Sequence, residues 1–301
     1  MNTQSTVDQD NRFHKISDNR GRLVAAIPIA ERRIDLAGIS TAVLVGGEGP
    51  PIILLHGPGE TSLWWMRVIP QLLKTNRLIV PDLPGHGSSR LDHTTLEADL
   101  VYQWLSELIE QTCPSPPALV GNILGGSIGA RFAVEHSGQI DRLVLVNSLG
   151  LGKFRPAPRF AFGLFRFMLW PTEKNFNRFF PQCIYDVGGL RSKMGENWEP
   201  FVAYNLECAR DKVRSTAVQT LMKNLGIPKI PDDELEKIDV PTALIWGRHD
   251  KANKLKIAET ASKRYGWPLH VIEETRDDPK LERPKAFVHA LNTVLRATNI
   301  H

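Results

Sequence analysis

Six short apolar runs set the limits on what this chain can fold into: PIILLHG, RLIVPDL, PALVGNI, RLVLVNSLG, PTALIWG and PLHVIEE. Each is bounded by Gly, Pro or a polar turn. The runs are continuously apolar rather than alternating, so each reads as a strand covered on both faces, as in a parallel sheet. Two further segments, AERRIDL and STAVLVGG, read as strands joined by a turn at Ala37-Gly38. Helical stretches such as TLEADLVYQWLSELIEQ and KAFVHALNTVLRAT lie between the runs. Strands alternating with helices give an α/β class, a doubly wound and mostly parallel sheet. Of 301 residues 42% are apolar, enough for a sizeable core.

The alternation breaks over residues 152–226, which carry helical segments including FAFGLFRFMLW and PFVAYNLECARDKVRSTAVQTLMKNL but no strand signal. An insertion between two sheet strands is expected to sit over the strand C-terminal ends, where open α/β sheets bind ligands. The division expected is a mobile tail at 1–20, a core made of 21–151 and 227–301, and a helical cap at 152–226.

The net charge of +4 is spread along the chain with no long basic run, so nucleic acid is not an expected partner. Cys113, Cys183 and Cys208 are odd in number and not in metal-ligand spacing, and no metal or cofactor is expected. The polar N-terminus has no apolar signal core, and no apolar run is long enough to span a membrane. The expectation is a cytoplasmic protein with a small-molecule ligand and no membrane partner.

The segment ALVGNILGGSIGARFA resembles the strand–turn–helix that carries the nucleophile in α/β-hydrolases, with motif G-x-S-x-G. The resemblance extends to His56-Gly57, to the loop Asp82-Leu83-Pro84-Gly85-His86-Gly87-Ser88-Ser89, to Leu244-Ile245-Trp246-Gly247-Arg248-His249-Asp250, and to Pro279-Lys280-Leu281-Glu282-Arg283-Pro284. It implies the capped branch of that family over roughly residues 30–298. In the gap-free register, Ile123 stands in the nucleophile slot between Asn122 and Leu124. Ser127 then falls one turn inside the following helix. The family's histidine slot, two residues before Pro279, holds Asp277. The residue after His56-Gly57, whose N–H is commonly an oxyanion donor, is Pro58, which has none. Gly59 can take its place only if the loop is re-routed. Of the triad the resemblance leaves the acid, Asp250.

Isoleucine has no lone pair and cannot be a covalent catalyst. Two readings of Asp277 stand side by side. In one it approaches Asp250, and the two carboxylates share a proton and act as acid and base. In the other, Asp277 or Asp278 caps the next turn and faces solvent. Binding candidates are His56, Gly57, Pro58, Gly59, Glu60, Trp64, Asn122, Ile123, Leu124 and His249. The lid aromatics Phe160, Phe162, Phe165, Phe167 and Trp170 read first as lid core, some of them lining a pocket. Three functions follow in order. The first is an enzyme with non-serine chemistry (lyase, decarboxylase, isomerase or water-activated hydrolysis) on a small, largely apolar carbonyl or ester compound. The second is a pseudoenzyme that binds a small molecule or partner. The third is an esterase-like serine hydrolase using Ser127.

Overall fold

A computed structural model describes residues 18–91 and 96–297. Nine strands among these form one sheet: β1 Ala30–Leu36, β2 Ile39–Gly46, β3 Pro51–Leu55, β4 Arg77–Pro81, β5 Arg90–Leu91, β6 Ala118–Asn122, β7 Arg142–Val146, β8 Thr242–Gly247 and β9 Leu269–Ile272. The main order is β1-β2-β4-β3-β6-β7-β8-β9, with β5 paired to β2. From β4 to β9 all neighbours are parallel, whereas β1–β2 and β2–β4 are antiparallel. The β1–β2 turn falls at Ala37 (φ 48°) and Gly38 (φ 75°), and two consecutive positive φ values match the right-handed strand twist. β5 has only two residues and left no run in the sequence.

Every residue of β3, β6, β7 and β8 is buried. Their side chains alternate between two cores. Ile52, Leu54, Val120, Val144 and Ile245 face one core with Trp65 and Phe287. Ile53, Leu55, Leu119, Leu143 and Leu244 face the other with Phe132 and Trp246. The first core continues into the inserted segment through Phe160, Phe176, Phe180, Trp198 and Phe201.

That segment, between β7 and β8, folds as helices Pro158–Leu169, Glu173–Cys183, Val187–Met194, Trp198–Arg210 and Lys212–Leu221. The long stretch from Pro200 to Leu225 is thus not one helix. It breaks at Asp211, whose carboxylate accepts from the Val213 and Arg214 N–H groups at 2.9 and 3.1 Å and starts a new helix.

The expected tail needs correction at its end. Residues 1–17 lie outside the described residues, but residues 18–25 are helical. Arg20 is buried there, 2.9 Å from the Asp82 carboxylate and 2.9 Å from the Tyr204 hydroxyl of the inserted segment. Asp82 also accepts from the N–H groups of Ser62 and Ser88 at 2.7 and 2.8 Å. Gly87 (φ 52°) makes that approach possible, because a Cβ there would lie 2.2 Å from an Asp82 oxygen.

Candidate active site

Strand β6 ends at Asn122, and helix Leu124–His136 begins two residues later. The turn between them is a single residue, Ile123, at φ 48° and ψ −99°. A branched side chain at positive φ is strained. The turn is so tight that a Cβ on Gly121 would lie 2.3 Å from the Gly125 carbonyl oxygen. Ile123 is therefore the elbow residue, in the gap-free register. Ser127 has its N–H on the Ile123 carbonyl at 3.2 Å, an ordinary helical bond. Its side chain is fully buried, and its hydroxyl donates to the Leu225 carbonyl at 2.6 Å.

A cavity of about 380 Å³ lies between the strand ends and the inserted helices. From the core it is lined by Pro58, Gly59, Glu60, Trp64, Ile123, Asp277 and Asp278. The inserted helices contribute Phe160, Leu164, Phe167, Phe176, Phe180 and Cys183, so its upper wall is mainly apolar.

Around Asn122, next to Ile123 in the chain, lies a cluster of charged groups. Glu60 is buried and accepts the Gly57 N–H at 2.9 Å. The Lys280 ammonium is fully buried, ion-paired to Asp278 and 3.4 Å from Glu60. It sits over two indoles, 5.8 Å from the Trp64 centroid and 5.1 Å from that of Trp65. Asn122 bridges the two acids, donating to Asp278 at 3.3 Å and to Glu60 at 3.5 Å. Asp250 is held apart from this group: Asn147 donates to it at 2.6 Å, and the N–H groups of Ala252 and Asn253 at 2.7 Å each.

Asp277 is buried on the cavity wall, and its Oδ1 has no hydrogen-bond partner among the described residues. Burial, then the charge of Asp278, then that of Asp250 push its carboxyl well above the usual range. Burial raises Asp250 to about 7. Burial and the neighbouring Asp278 raise Glu60 to about 8, against the opposing pull of Lys280. Burial alone would lower Lys280, but Asp278 and Glu60 outweigh it and its pKa rises. The expected pair of carboxylates is thus a wider cluster, in which Asp278 acts on Asp277 more strongly than Asp250 does.

The sequence candidates divide accordingly. Pro58, Gly59, Glu60, Trp64, Ile123 and Asp277 reach the cavity wall. His56, Gly57, Asn122, Leu124 and Asp250 stand behind that wall, outside the cavity lining. His56 is a scaffold group: it accepts from the Leu83 N–H at 3.0 Å and, through Nδ1, donates to the Gly57 carbonyl at 2.8 Å. Burial and the nearby His86 push it down to about 3, so it is neutral at pH 7. His249 is exposed and stacked on Tyr185 at 5.0 Å, which removes it as a displaced triad histidine. The solvent-facing reading of Asp277 and Asp278 also fails, because both are buried. The next turn is started by the Asp278 backbone carbonyl, which accepts from Leu281 and Glu282 at 3.0 Å each. Among the lid aromatics, Phe160 and Phe167 line the cavity, whereas Phe162, Phe165 and Trp170 are exposed.

Lys280, Asn147 and Cys183 were not foreseen as site neighbours. The available signal for Lys280 was its place in Pro279-Lys280-Leu281-Glu282-Arg283-Pro284, the segment that the resemblance sets beside the histidine slot. Among the described residues no group of three or more His, Cys, Asp or Glu is arranged to hold a metal ion.

Residues 52–290 match the Alpha/beta hydrolase family. The chain belongs to that family. The 2-hydroxy-6-oxo-6-(2'-aminophenyl)hexa-2,4-dienoic acid hydrolase of Metapseudomonas resinovorans is 27% identical, covering 86% of this chain and 89% of that protein. The pimeloyl-[acyl-carrier protein] methyl ester esterase of Aeromonas hydrophila is 25% identical, covering 84% and 98%. Among solved structures, the 2-hydroxy-6-oxo-6-phenylhexa-2,4-dienoate hydrolase of Rhodococcus sp. strain RHA1 superposes with a TM-score of 0.77 at 23% identity, covering 90% of this chain and all (100%) of that one. That last likeness carries the fold alone. The inserted helices of this chain are those of an α/β-hydrolase fold with a helical insertion.

Proposed function

We propose that this α/β-hydrolase-family chain hydrolyses a small, largely apolar carbonyl or ester compound under its inserted helices, with cavity carboxylates rather than a serine handling the proton. The names of its relatives favour hydrolysis over the lyase, decarboxylase and isomerase chemistries that the sequence alone left level with it. They also favour the esterase-like reading ranked last from sequence. The geometry of Ser127 argues against its being the nucleophile, since its hydroxyl is turned into the Leu225 carbonyl and away from the cavity.

One observation carries the proposal: Asp277 Oδ1, buried in the wall of an apolar cavity with no hydrogen-bond partner among the described residues. A carboxyl in that position holds its proton to higher pH than a solvated one does, because of burial and the neighbouring Asp278 and Asp250. It gives a proton to a bound carbonyl or leaving group, and its conjugate base takes one from water. Lys280 holds a buried positive charge beside Asp278 and Glu60 and opposes the rise of the Glu60 carboxyl.

The test uses substrates of the two kinds named by the relatives, a vinylogous 1,5-diketo acid with an aryl end and a methyl ester of a medium-chain acid. Asp277→Asn is expected to lower kcat by about 10²-fold or more, the usual scale for loss of a general acid or base. Ser127→Ala is expected to retain turnover. The opposite result, with Ser127→Ala dead and Asp277→Asn active, overturns the proposal in favour of a serine hydrolase.

A further inference from the structure

Helix Pro158–Leu169 is apolar on two sides, and only one of them is covered. On its inner side Phe160, Leu164 and Phe167 line the cavity. Phe162, Phe165 and Leu169 recur at three- and four-residue spacing on its outer side, with Met168 and Trp170 beside them. Phe162 is 66% exposed, Phe165 60% and Trp170 59%. A surface helix ordinarily turns polar residues outward. A contiguous group of large apolar side chains facing water marks an interaction surface.

Charge says what covers it. Residues 152–182 carry six cations, Lys153, Arg155, Arg159, Arg166, Lys174 and Arg178, against the single anion Glu173. All six cations are exposed. The net charge of this short segment, six cations less one anion, exceeds that of the whole chain, +4. Arg159 and Arg166 are seven residues apart and border the apolar strip along one edge.

The geometry points to this face as the seat for an anionic phospholipid bilayer. The helix lies in the plane of the interface, its outer aromatic side chains among the acyl chains and the surrounding cations on the lipid phosphates. It does not span: no helix among the described residues is long and apolar enough to cross a membrane. The sequence expectation of no membrane partner rested on the lack of a spanning run, a signal that a surface-seated helix does not leave. Because the inner side of the same helix lines the cavity, an apolar compound dissolved in the bilayer lies one helix thickness from it. The inference is independent of the chemistry inside the cavity.

Tryptophan emission tests it directly. Of the seven tryptophans, Trp64, Trp65, Trp104, Trp198, Trp246 and Trp267 are buried, and Trp170 is exposed. The full-length protein is mixed with vesicles of equal parts phosphatidylglycerol and phosphatidylcholine, and with phosphatidylcholine alone. The expected result is co-sedimentation with the anionic vesicles, a blue-shifted emission quenched by brominated lipid, and binding about ten-fold or more weaker to the neutral vesicles. Phe162→Ser with Phe165→Ser is expected to abolish sedimentation with circular dichroism unchanged. Trp170→Phe is expected to remove the spectral shift. Two results overturn the inference. One is absence of both sedimentation and shift. The other is absence of vesicle binding with a dimer in solution that the double serine variant dissociates, which assigns the face to a second copy of the chain.

Discussion

The Ser127 hydroxyl lies 2.6 Å from the Leu225 carbonyl oxygen, joining the elbow helix to the end of the inserted segment. The same carbonyl also accepts from Arg131 at 3.2 Å. The serine of the apparent G-x-S-x-G is therefore a tether. The wild-type protein is expected to resist stoichiometric labelling by a fluorophosphonate, read by intact-mass spectrometry. Ser127→Ala is expected to cost about 1 kcal/mol by urea denaturation, the net worth of one neutral hydrogen bond.

The elbow itself is intact, so its missing chemistry can be put back. Ile123→Ser with Asp277→His places a hydroxyl on the turn and an imidazole on the neighbouring loop, with Asp250 behind them. The double variant is expected to gain fluorophosphonate labelling, and Ile123→Ser alone is not, because a serine without its base stays a weak nucleophile. Equal labelling of the single and double variants would show that another group serves as base.

Lys280 is the cation on which the buried acids depend. Lys280→Met leaves Asp278 and Glu60 without their counter-charge inside the protein. A loss of about 3–5 kcal/mol is expected, the range found when one partner of a buried ion pair is removed. Lys280→Met with Asp278→Asn is expected to recover part of it. A single variant as stable as the wild type would mean that the cluster is better solvated than its burial implies.

The raised carboxyl pKa values set a pH dependence of known sign. Asp250 moves from 3.8 to about 7 and Glu60 from 4.5 to about 8 on folding. The folded state binds more protons than the unfolded chain between these limits. The stability from protonation is complete below about pH 4 and is lost as pH rises through 7 to 8. Thermal midpoints are expected to fall over that window, and Asp250→Asn is expected to flatten its lower half. Asp250→Asn also removes one of the charges that raise Asp277. If protonated Asp277 is the working form, the alkaline limb of activity then moves to lower pH; an unmoved limb would uncouple the two residues.

The fold was legible because the central strands are buried on both faces and read as continuous, mainly apolar runs bounded by Gly, Pro and polar turns. The elbow register was legible from the resemblance, whose gap-free match places Ile123 in the nucleophile slot and Ser127 one turn inside the helix. The charged cluster was not. Lysine is among the residues least often found inside, and the burial of Lys280 is offset by Asp278, two residues away, together with Glu60, which lies far away in sequence. Such pairings leave no periodic trace. His249 misled through proximity in sequence to Asp250, although adjacent residues at a strand end point to opposite sides. The break at Asp211 was hidden by an apolar pattern that continues through it, and only its capping bonds reveal it.

The contact between Arg20 and Asp82 bears on how the protein is handled at the bench. A sequence reader would trim the first twenty residues as dispensable, and an expression boundary at residue 21 removes the guanidinium together with the start of its helix and the Asn19 donor to Glu207. Asp82 then keeps the Ser62 and Ser88 N–H groups but loses its counter-charge inside the protein, and Tyr204 loses the Arg20 donor that ties the inserted helices to the loop after β4. The sample would still contain every catalytic candidate, yet its roof would be loose. Low activity in such a preparation would be a product of where the gene was cut, not a property of the site.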